Sequence, residues 1–355
     1  MQEHTHGGNA EGWFTPVQTR SERAWSYDPA DFEAPRREDP QWKFSDLQRL
    51  APLFDLDAPV RVTSGEFRPE DVVSAIALQR ATPRHIVAEG DVRVTIRGAQ
   101  DGVATEHLII EAPAHAVSTV VLEHVGDGAL AENVEIRVAD GADLTVVSLQ
   151  LWDADALHSS AHQAVIGRDA HLKHIVVSLG GGVVRLNPTA RLAGDGSSTE
   201  LLGLYFADAG QHIEHQVFLH HEGRHTKGRM TYKGALQGRG ARAVWIGDTL
   251  IGPNATGTDS YEQNRNLVLT EGTRTDSIPN LEIETGEILG AGHASATGRF
   301  DDEQLFYLQA RGIPEADARR LVVIGFLTEI IQQIDDAELQ ERLQALVAAE
   351  LEVTP

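Results

Sequence analysis

The chain has 355 residues, 41% of them apolar, and carries 53 acidic against 30 basic side chains, a formal charge of −23. A core of good size is available, but a surface so negative repels phosphate backbones and anionic lipid, which argues against nucleic-acid and membrane partners. There is no cysteine, which removes disulfides, thiolate zinc sites, a thiol nucleophile and any iron–sulfur cluster held by sulfur from this chain alone.

The first residues, MQEHTHGGNAEGW, show neither a basic nor an apolar stretch of the kind that directs secretion. The strongest apolar run, Leu321 to Leu327, is about a third of a membrane span. Both point to a soluble, cytoplasmic protein. Residues 1–38 are rich in Pro, Gly and charge and read as a flexible N-terminal arm, in which His4 and His6 are solvated. Residues 39–85 form a helical segment. Phe44, Leu47 and Leu50 have helical spacing up to Pro52, and a second helix over Glu70–Arg80 carries Val72, Val73, Ile76 and Leu78.

From residue 86 to 290 the pattern changes to short apolar runs between Gly, Asp and Asn turns, among them VRVTI, STVVLEHV, DLTVVSLQLW, HLKHIVVSL, TELLGLYF and AVWIGDTLI. Such runs are strands. Asp-Gly hairpin signals are sparse, with none after Gly196. GADLTVVSL at 141–149 superposes on DAHLKHIVV at 169–177 with a shift of 28 residues, and TELLGLYF follows in about the same phase. A repeat of that length is one coil of a stacked β architecture. The region therefore reads as a β-solenoid, with sandwich and barrel as the alternatives.

After Gly292 the chain turns helical, and residues 291–355 make a C-terminal helical domain. Asp301 and Gln304 suit a capping box, Phe300 and Leu305 a hydrophobic staple, and Gly312 the residue just past a helix end. Pro314 opens a second helix with an apolar stripe through Leu321, Ile324, Leu327, Ile331 and Ile334. A last helix begins near Asp335 and Glu338. The fold class is an all-β core with helical flanks.

No motif points to catalysis. Gly180-Gly181-Gly182 lacks the Lys and Ser/Thr of a phosphate loop and reads as a turn. His221-Glu222-Gly223-Arg224-His225 matches HExxH formally, but it follows a strand-like run and Gly223 interrupts any helix. Extended, its two histidines stand about 13 Å apart, beyond one zinc ion. The five histidines from His212 to His225 read as polar positions on a solvated strand face, with a metal-contact surface as the other reading. Asn264 and Asn266 share one face of a strand and suit hydrogen bonding from coil to coil.

The C-terminal third carries Pro279, Leu281-Glu282-Ile283, Gly292-His293-Ala294, Ala296-Thr297-Gly298, Leu305-Phe306-Tyr307-Leu308, Arg311-Gly312-Ile313 and Gly325-Phe326. Upstream are Thr258-Asp259, Asn264-Arg265-Asn266-Leu267 and Trp42-Lys43-Phe44. In this order the elements resemble the SufB/SufD family of iron–sulfur assembly scaffolds. The resemblance implies a right-handed parallel β-helix between helical segments. It also implies a non-enzymatic scaffold that pairs with a SufB-like paralogue and docks a SufC-like ATPase. Departures favour the SufD branch. The SufB cysteine falls near Thr273, the SufB glutamate at Ala294, and the cysteine common in SufD members at Ala291. His293 is carried over as a metal contact shared with SufB. Phe306, Tyr307, Arg311, Gly312, Ile313 and Phe326 are carried over as partner contacts. No cofactor is held by the isolated chain; iron or a cluster would visit the SufB interface transiently. The remaining alternatives are a homodimer when alone, a metal-dependent enzyme and a carbohydrate-active β-helix enzyme.

Overall fold

The computed structural model describes residues 20, 23–299 and 302–351. His4, His6 and the expected capping box and staple at Phe300 and Asp301 lie outside the described residues. Two short helices come first, α1 (Leu47–Leu50) and α2 (Val72–Arg80). Sixteen strands follow: β1 (Arg84–Val87), β2 (Asp91–Ile96), β3 (Ala104–Ala112), β4 (Val117–Gly126), β5 (Ala129–Val138), β6 (Asp143–Trp152), β7 (Leu157–Ile166) and β8 (His171–Ser178). Then come β9 (Val183–Leu192), β10 (Ser198–Ala207), β11 (His212–His221), β12 (Lys227–Leu236), β13 (Arg242–Ile251), β14 (Asp259–Val268), β15 (Arg274–Ile283) and β16 (Gly290–Arg299). Helices α3 (Asp302–Ala310), α4 (Glu315–Ile331) and α5 (Ala337–Glu350) close the chain.

Odd-numbered strands form one eight-stranded sheet and even-numbered strands another, each stacked in order. The strand ladders are parallel throughout, so each coil of the solenoid contributes one strand to each sheet. The repeat seen in the sequence is this register: Asp143 pairs with His171, 28 residues on, and His171 with Ser198. Alternate side chains of the two sheets point at each other and make the inner core, which includes Leu122, Leu130, Leu144, Val146, Leu172, Leu186 and Trp245. In β10 and β12 this interior admits two tyrosines only because glycines face them. Gly203 lies opposite Tyr232 and Tyr205 opposite Gly234, and a Cβ on either glycine would collide with the facing ring.

The outer faces are covered by helices. On the even-numbered sheet, Val121, Val147, Leu149, Ile175, Val177, Leu204 and Phe206 pack against Val323, Leu327, Ile330, Leu339 and Leu343 of α4 and α5. The expected apolar stripe of α4, which Val323, Phe326 and Ile330 broaden, is buried at Val323, Leu327, Ile330, Ile331 and Ile334, whereas Leu321 at its start is exposed. The sequence placed the turn to helix after Gly292, yet the chain stays a strand through Arg299. GAGHASATGR has weak strand propensity, but ten parallel pairs with β14 hold it.

The N-terminal segment covers the odd-numbered sheet. Asp71 caps α2 by accepting from Ser74 N (2.8 Å) and also meets Arg185 Nη1 of β9 at 2.9 Å. Arg185 is fully buried, approaches Glu214 Oε1 at 3.4 Å and lies 3.9 Å from the centre of the Trp42 ring. Arg20, also buried, pairs with Glu70 Oε2 at 3.2 Å and donates to Thr189 Oγ1 at 2.8 Å. Burial pushes the Glu214 carboxyl up, but His212, Arg185 and Gln216 outweigh it and hold the pKa at about 2. Asp71 is likewise held below its ordinary value: burial raises it, and Arg185 and the Ser74 amide prevail.

Because both carboxyls are depressed relative to the unfolded chain, their stabilisation is complete above about pH 4.5 and is lost as pH falls towards 2. Arg185→Met strands two buried carboxylates and is expected to cost about 3–5 kcal/mol at pH 7. The deficit should shrink on acidification to about pH 5 as the stranded carboxyls take up protons, and urea unfolding at the two pH values measures it.

Candidate functional site

The stack of coils ends at β15 and β16, the C-terminal edges of the two sheets among the described residues. Edge strands present unpaired N–H and C=O groups, a ready template for another chain. The interior changes character as it approaches this end. The inward residues of β14 are Ser260, Glu262, Asn264 and Asn266, all buried, where earlier coils carry mainly aliphatic side chains.

Asn264 is the hub of the resulting network. Its Nδ2 donates to Tyr205 Oη (3.0 Å) and Tyr232 O (3.2 Å). Its Oδ1 accepts from Asn266 Nδ2 (2.6 Å) and Ser277 Oγ (2.7 Å). Ser295 Oγ of β16 donates to Ser277 Oγ at 2.8 Å, so the ladder runs to the last coil. The two asparagines therefore bind coil to coil, as their spacing suggested.

His293 lies on β16 in register with Glu262 of β14. Its side chain is 47% exposed, and Nδ1 stands 3.8 Å from Glu262 Oε1. Glu262 was not foreseen from the sequence. Its Oε2 accepts from Thr249 Oγ1 at 2.8 Å, whereas Oε1 is buried and has no hydrogen-bond partner. Burial, aided by neighbouring Asp248, pushes the Glu262 carboxyl up to about 8. Burial also raises Asp248, which accepts from Asn280 Nδ2 at 2.7 Å. His293, Asp248, Thr249, Pro279 and Asn280 line one cleft together with Phe218 and Arg20. The end of the solenoid thus offers one exposed imidazole nitrogen and, behind it, one carboxyl oxygen with nothing bound. That set is too small to hold a metal ion alone, but it can add ligands to donors brought by another molecule.

The histidines from His212 to His225 correct the expectation of a solvated face. His215 and His221 point into the solenoid, and burial drops each pKa to about 3. His215 Nε2 pairs with Ser178 Oγ (3.0 Å), and His221 with Thr226 (2.8 Å) and Ser260 (3.0 Å). His212 is buried beside Glu214 at 3.2 Å on the outer face that the N-terminal segment covers. His220 is half-buried against Glu222 and Phe218. His225 occupies a turn at φ 55°. His221 ends a strand and His225 lies beyond it, so HExxH forms no zinc site.

The expected partner contacts divide. On α3, Phe306 and Tyr307 are 72% and 57% exposed, and the Arg311 guanidinium stacks 4.6 Å over Tyr307. Gly312 is exposed at φ 86°, a backbone conformation that favours glycine after a helix. Ile313 is half-buried. Phe326 turns inward, with Lys233 Nζ 4.8 Å over its ring.

A family model described as SUF system FeS cluster assembly, SufBD core domain, matches residues 94–326. An iron–sulfur cluster assembly SufBD family protein of Mycobacterium bovis is 47% identical over 366 residues, covering 93% of this chain and 92% of its own length. A SufBD family protein of Mycobacterium leprae is 45% identical, covering 93% of each. The iron–sulfur cluster assembly protein SufD of Escherichia coli is 25% identical over 310 residues, covering 77% of this chain and 72% of its own.

Asn264→Leu keeps the branched shape but removes four hydrogen bonds, taking the acceptor from the Asn266 amide and the Ser277 hydroxyl, while Tyr205 keeps its bond to Asn266 Oδ1. A loss of about 2–4 kcal/mol is expected in denaturant unfolding. Hydrogen exchange should localise the loosening to β14–β16, and uniform exchange along the solenoid would contradict the hub.

Proposed function

Because the chain belongs to the SufBD family of iron–sulfur cluster assembly proteins, we propose that it is the SufD-like half of a paired scaffold. Its partner would be a cysteine-bearing SufB-like paralogue joined along the open β15–β16 end, and a SufC-like ATPase would dock on the C-terminal helices. The observation that carries this reading is His293 on an exposed edge strand, backed by the unpaired Glu262 oxygen, in a polypeptide with no cysteine thiolate. Iron, or the growing cluster, is cargo at that seam. This chain supplies imidazole and the paralogue supplies thiolate, a mixed ligand set that iron accepts. The chain performs no bond-making step of its own. Among the described residues no helix is long and apolar enough to cross a membrane. The chemistry needs reduced iron and sulfur, so we place the complex in the reducing cytoplasm.

The exposed Phe306–Tyr307–Arg311 surface is the ATPase contact in this scheme. Two aromatics and a stacked arginine are the residue types that dominate binding energy at interfaces. Docking there would let nucleotide-driven motion reach the solenoid through α4 and α5, which pack directly on the even-numbered sheet.

In the reconstituted three-component complex, His293→Ala should leave assembly of the subunits intact and slow cluster formation at least tenfold. Wild-type rates would eliminate the shared-ligand role. Replacing Phe306 and Tyr307 together by alanine should weaken ATPase binding by about 10- to 100-fold, or about 1.4–2.8 kcal/mol, while pairing of the two scaffolds persists. Unchanged ATPase affinity would move the docking surface elsewhere.

A further inference from the structure

A second group of histidines lies inside the solenoid, several coils away from the open end. Glu132 of β5 points into the interior with its side chain fully buried, and its ion-pair partners among the described residues are imidazoles alone. His124 Nε2 stands 3.1 Å from Glu132 Oε2, His158 Nε2 3.3 Å and His162 Nε2 3.9 Å. The three histidines are 0%, 0% and 1% exposed. They come from both sheets, His124 from β4 and His158 and His162 from β7.

The opposite ring nitrogens show which way each imidazole is set. His124 Nδ1 lies 3.0 Å from Leu149 O, an oxygen that only accepts, and 3.1 Å from the Gln150 Nε2 amide, which only donates. His158 Nδ1 lies 2.8 Å from Gln150 Oε1, which also accepts from Trp152 Nε1 at 2.9 Å. With the Nδ1 protons placed on Leu149 O and Gln150 Oε1, both rings aim an Nε2 lone pair at the Glu132 carboxylate, which also accepts from Ser160 Oγ at 2.9 Å. His162 Nδ1 is engaged by His174 Nε2 at 3.1 Å, and His162 Nε2 faces the same carboxylate. Lone pairs converging on an anion repel one another unless a cation lies between them. A single proton on His124 would settle one contact, yet it would leave the buried Nε2 atoms of His158 and His162 without partners, as they stand here.

We infer that His124, Glu132 and His158, with His162 beside them, form an interior binding site for one transition-metal ion of the zinc or ferrous class. Ligand atoms of His124, Glu132 and His158 all lie within 4.8 Å of one another. Metal–nitrogen bonds of about 2.0–2.1 Å in a tetrahedron place neighbouring ligand atoms about 3.3 Å apart, close to the 3.1 and 3.3 Å separations found. Two imidazole nitrogens and one carboxylate oxygen, with His162 Nε2 3.9 Å from that oxygen as a further donor, suit zinc or ferrous iron and disfavour the all-oxygen ions magnesium and calcium. Leu149 O and Gln150 Oε1 hold the rings from behind, as outer partners of metal-bound histidines do. Its ligands are fully buried, as are Ser160 and Trp152 beside them, so the site is closed and therefore structural. It would clamp the two sheets together.

The test is metal counting on the tag-free full-length chain, expressed with added zinc and passed over a chelating resin. About one zinc per chain is expected for the wild type and for His293→Ala, and under one-tenth for Glu132→Gln and His158→Ala. X-ray absorption at the zinc edge of the wild-type protein reads the site without any variant, and should show two or three imidazoles with one carboxylate and no sulfur. A wild-type chain carrying under one-tenth of an equivalent would overturn the site, as would full occupancy in Glu132→Gln or an oxygen-only shell.

Discussion

Parallel pairing between coils is the constraint from which the rest of the structure follows. Each strand takes its backbone hydrogen bonds from the coil before and the coil after, so the solenoid can be stacked without hairpins but cannot close on itself. Two consequences are visible. The interior is a narrow slot between two sheets, where any polar side chain must find its partner on a neighbouring coil or across the slot. The last coil, β15 with β16, keeps an edge whose backbone groups face outward. Polar pairing inside and an open seam at the end are two results of one geometry.

The helical flanks divide the outer surface between them. The N-terminal segment is fixed to the odd-numbered sheet by charge as well as by packing, with Arg185 between Asp71 and Glu214 and under Trp42. The C-terminal helices hold the even-numbered sheet by apolar contact through Val323, Leu327, Ile330 and Leu343, rimmed by ion pairs of Arg93, Glu123, Lys173 and Lys233 with Asp336, Arg342, Asp335 and Glu329. A buried ion pair tolerates little displacement, because separating its members leaves bare charges in a poor solvent. The pairs on the C-terminal side each keep at least one partner exposed to water, which lowers the cost of separating them. The side that carries the exposed Phe306 and Tyr307 is thus the side better suited to transmit movement.

Much of this was legible in the sequence because it depended on local spacing. The 28-residue shift between GADLTVVSL and DAHLKHIVV is the distance from Asp143 to His171 in the ladder. The two-residue spacing of Asn264 and Asn266 put both on the inward face. Helix boundaries at Pro314 and near Asp336 followed from capping chemistry. What escaped notice was polar and interior. LHSSAHQAVI (β7) and KGRMTYKGAL (β12) lack the aliphatic alternation that marks a strand, since their inward positions are His158, Ser160 and His162 in one and Tyr232 and Gly234 in the other. The same blind spot hid Glu262 and misplaced His215 and His221 on a solvated surface. Alternation itself was present, because His-x-Ser-x-His at 158–162 places all three side chains on one face. Its partners Glu132 and His124 lie one coil away, at a separation that only the register reveals.

The facing glycines and tyrosines of β10 and β12 have a consequence for how such a chain can diverge. Neither Gly203 nor Gly234 can acquire a side chain while the ring opposite remains, and neither tyrosine can shrink without opening a void across the slot. Natural drift at these four positions is therefore confined to coordinated replacements, in which bulk gained on one coil is surrendered by its neighbour. Descendants of this fold should carry the imprint as paired changes at a spacing of one coil, long after the surrounding surface has lost any visible kinship.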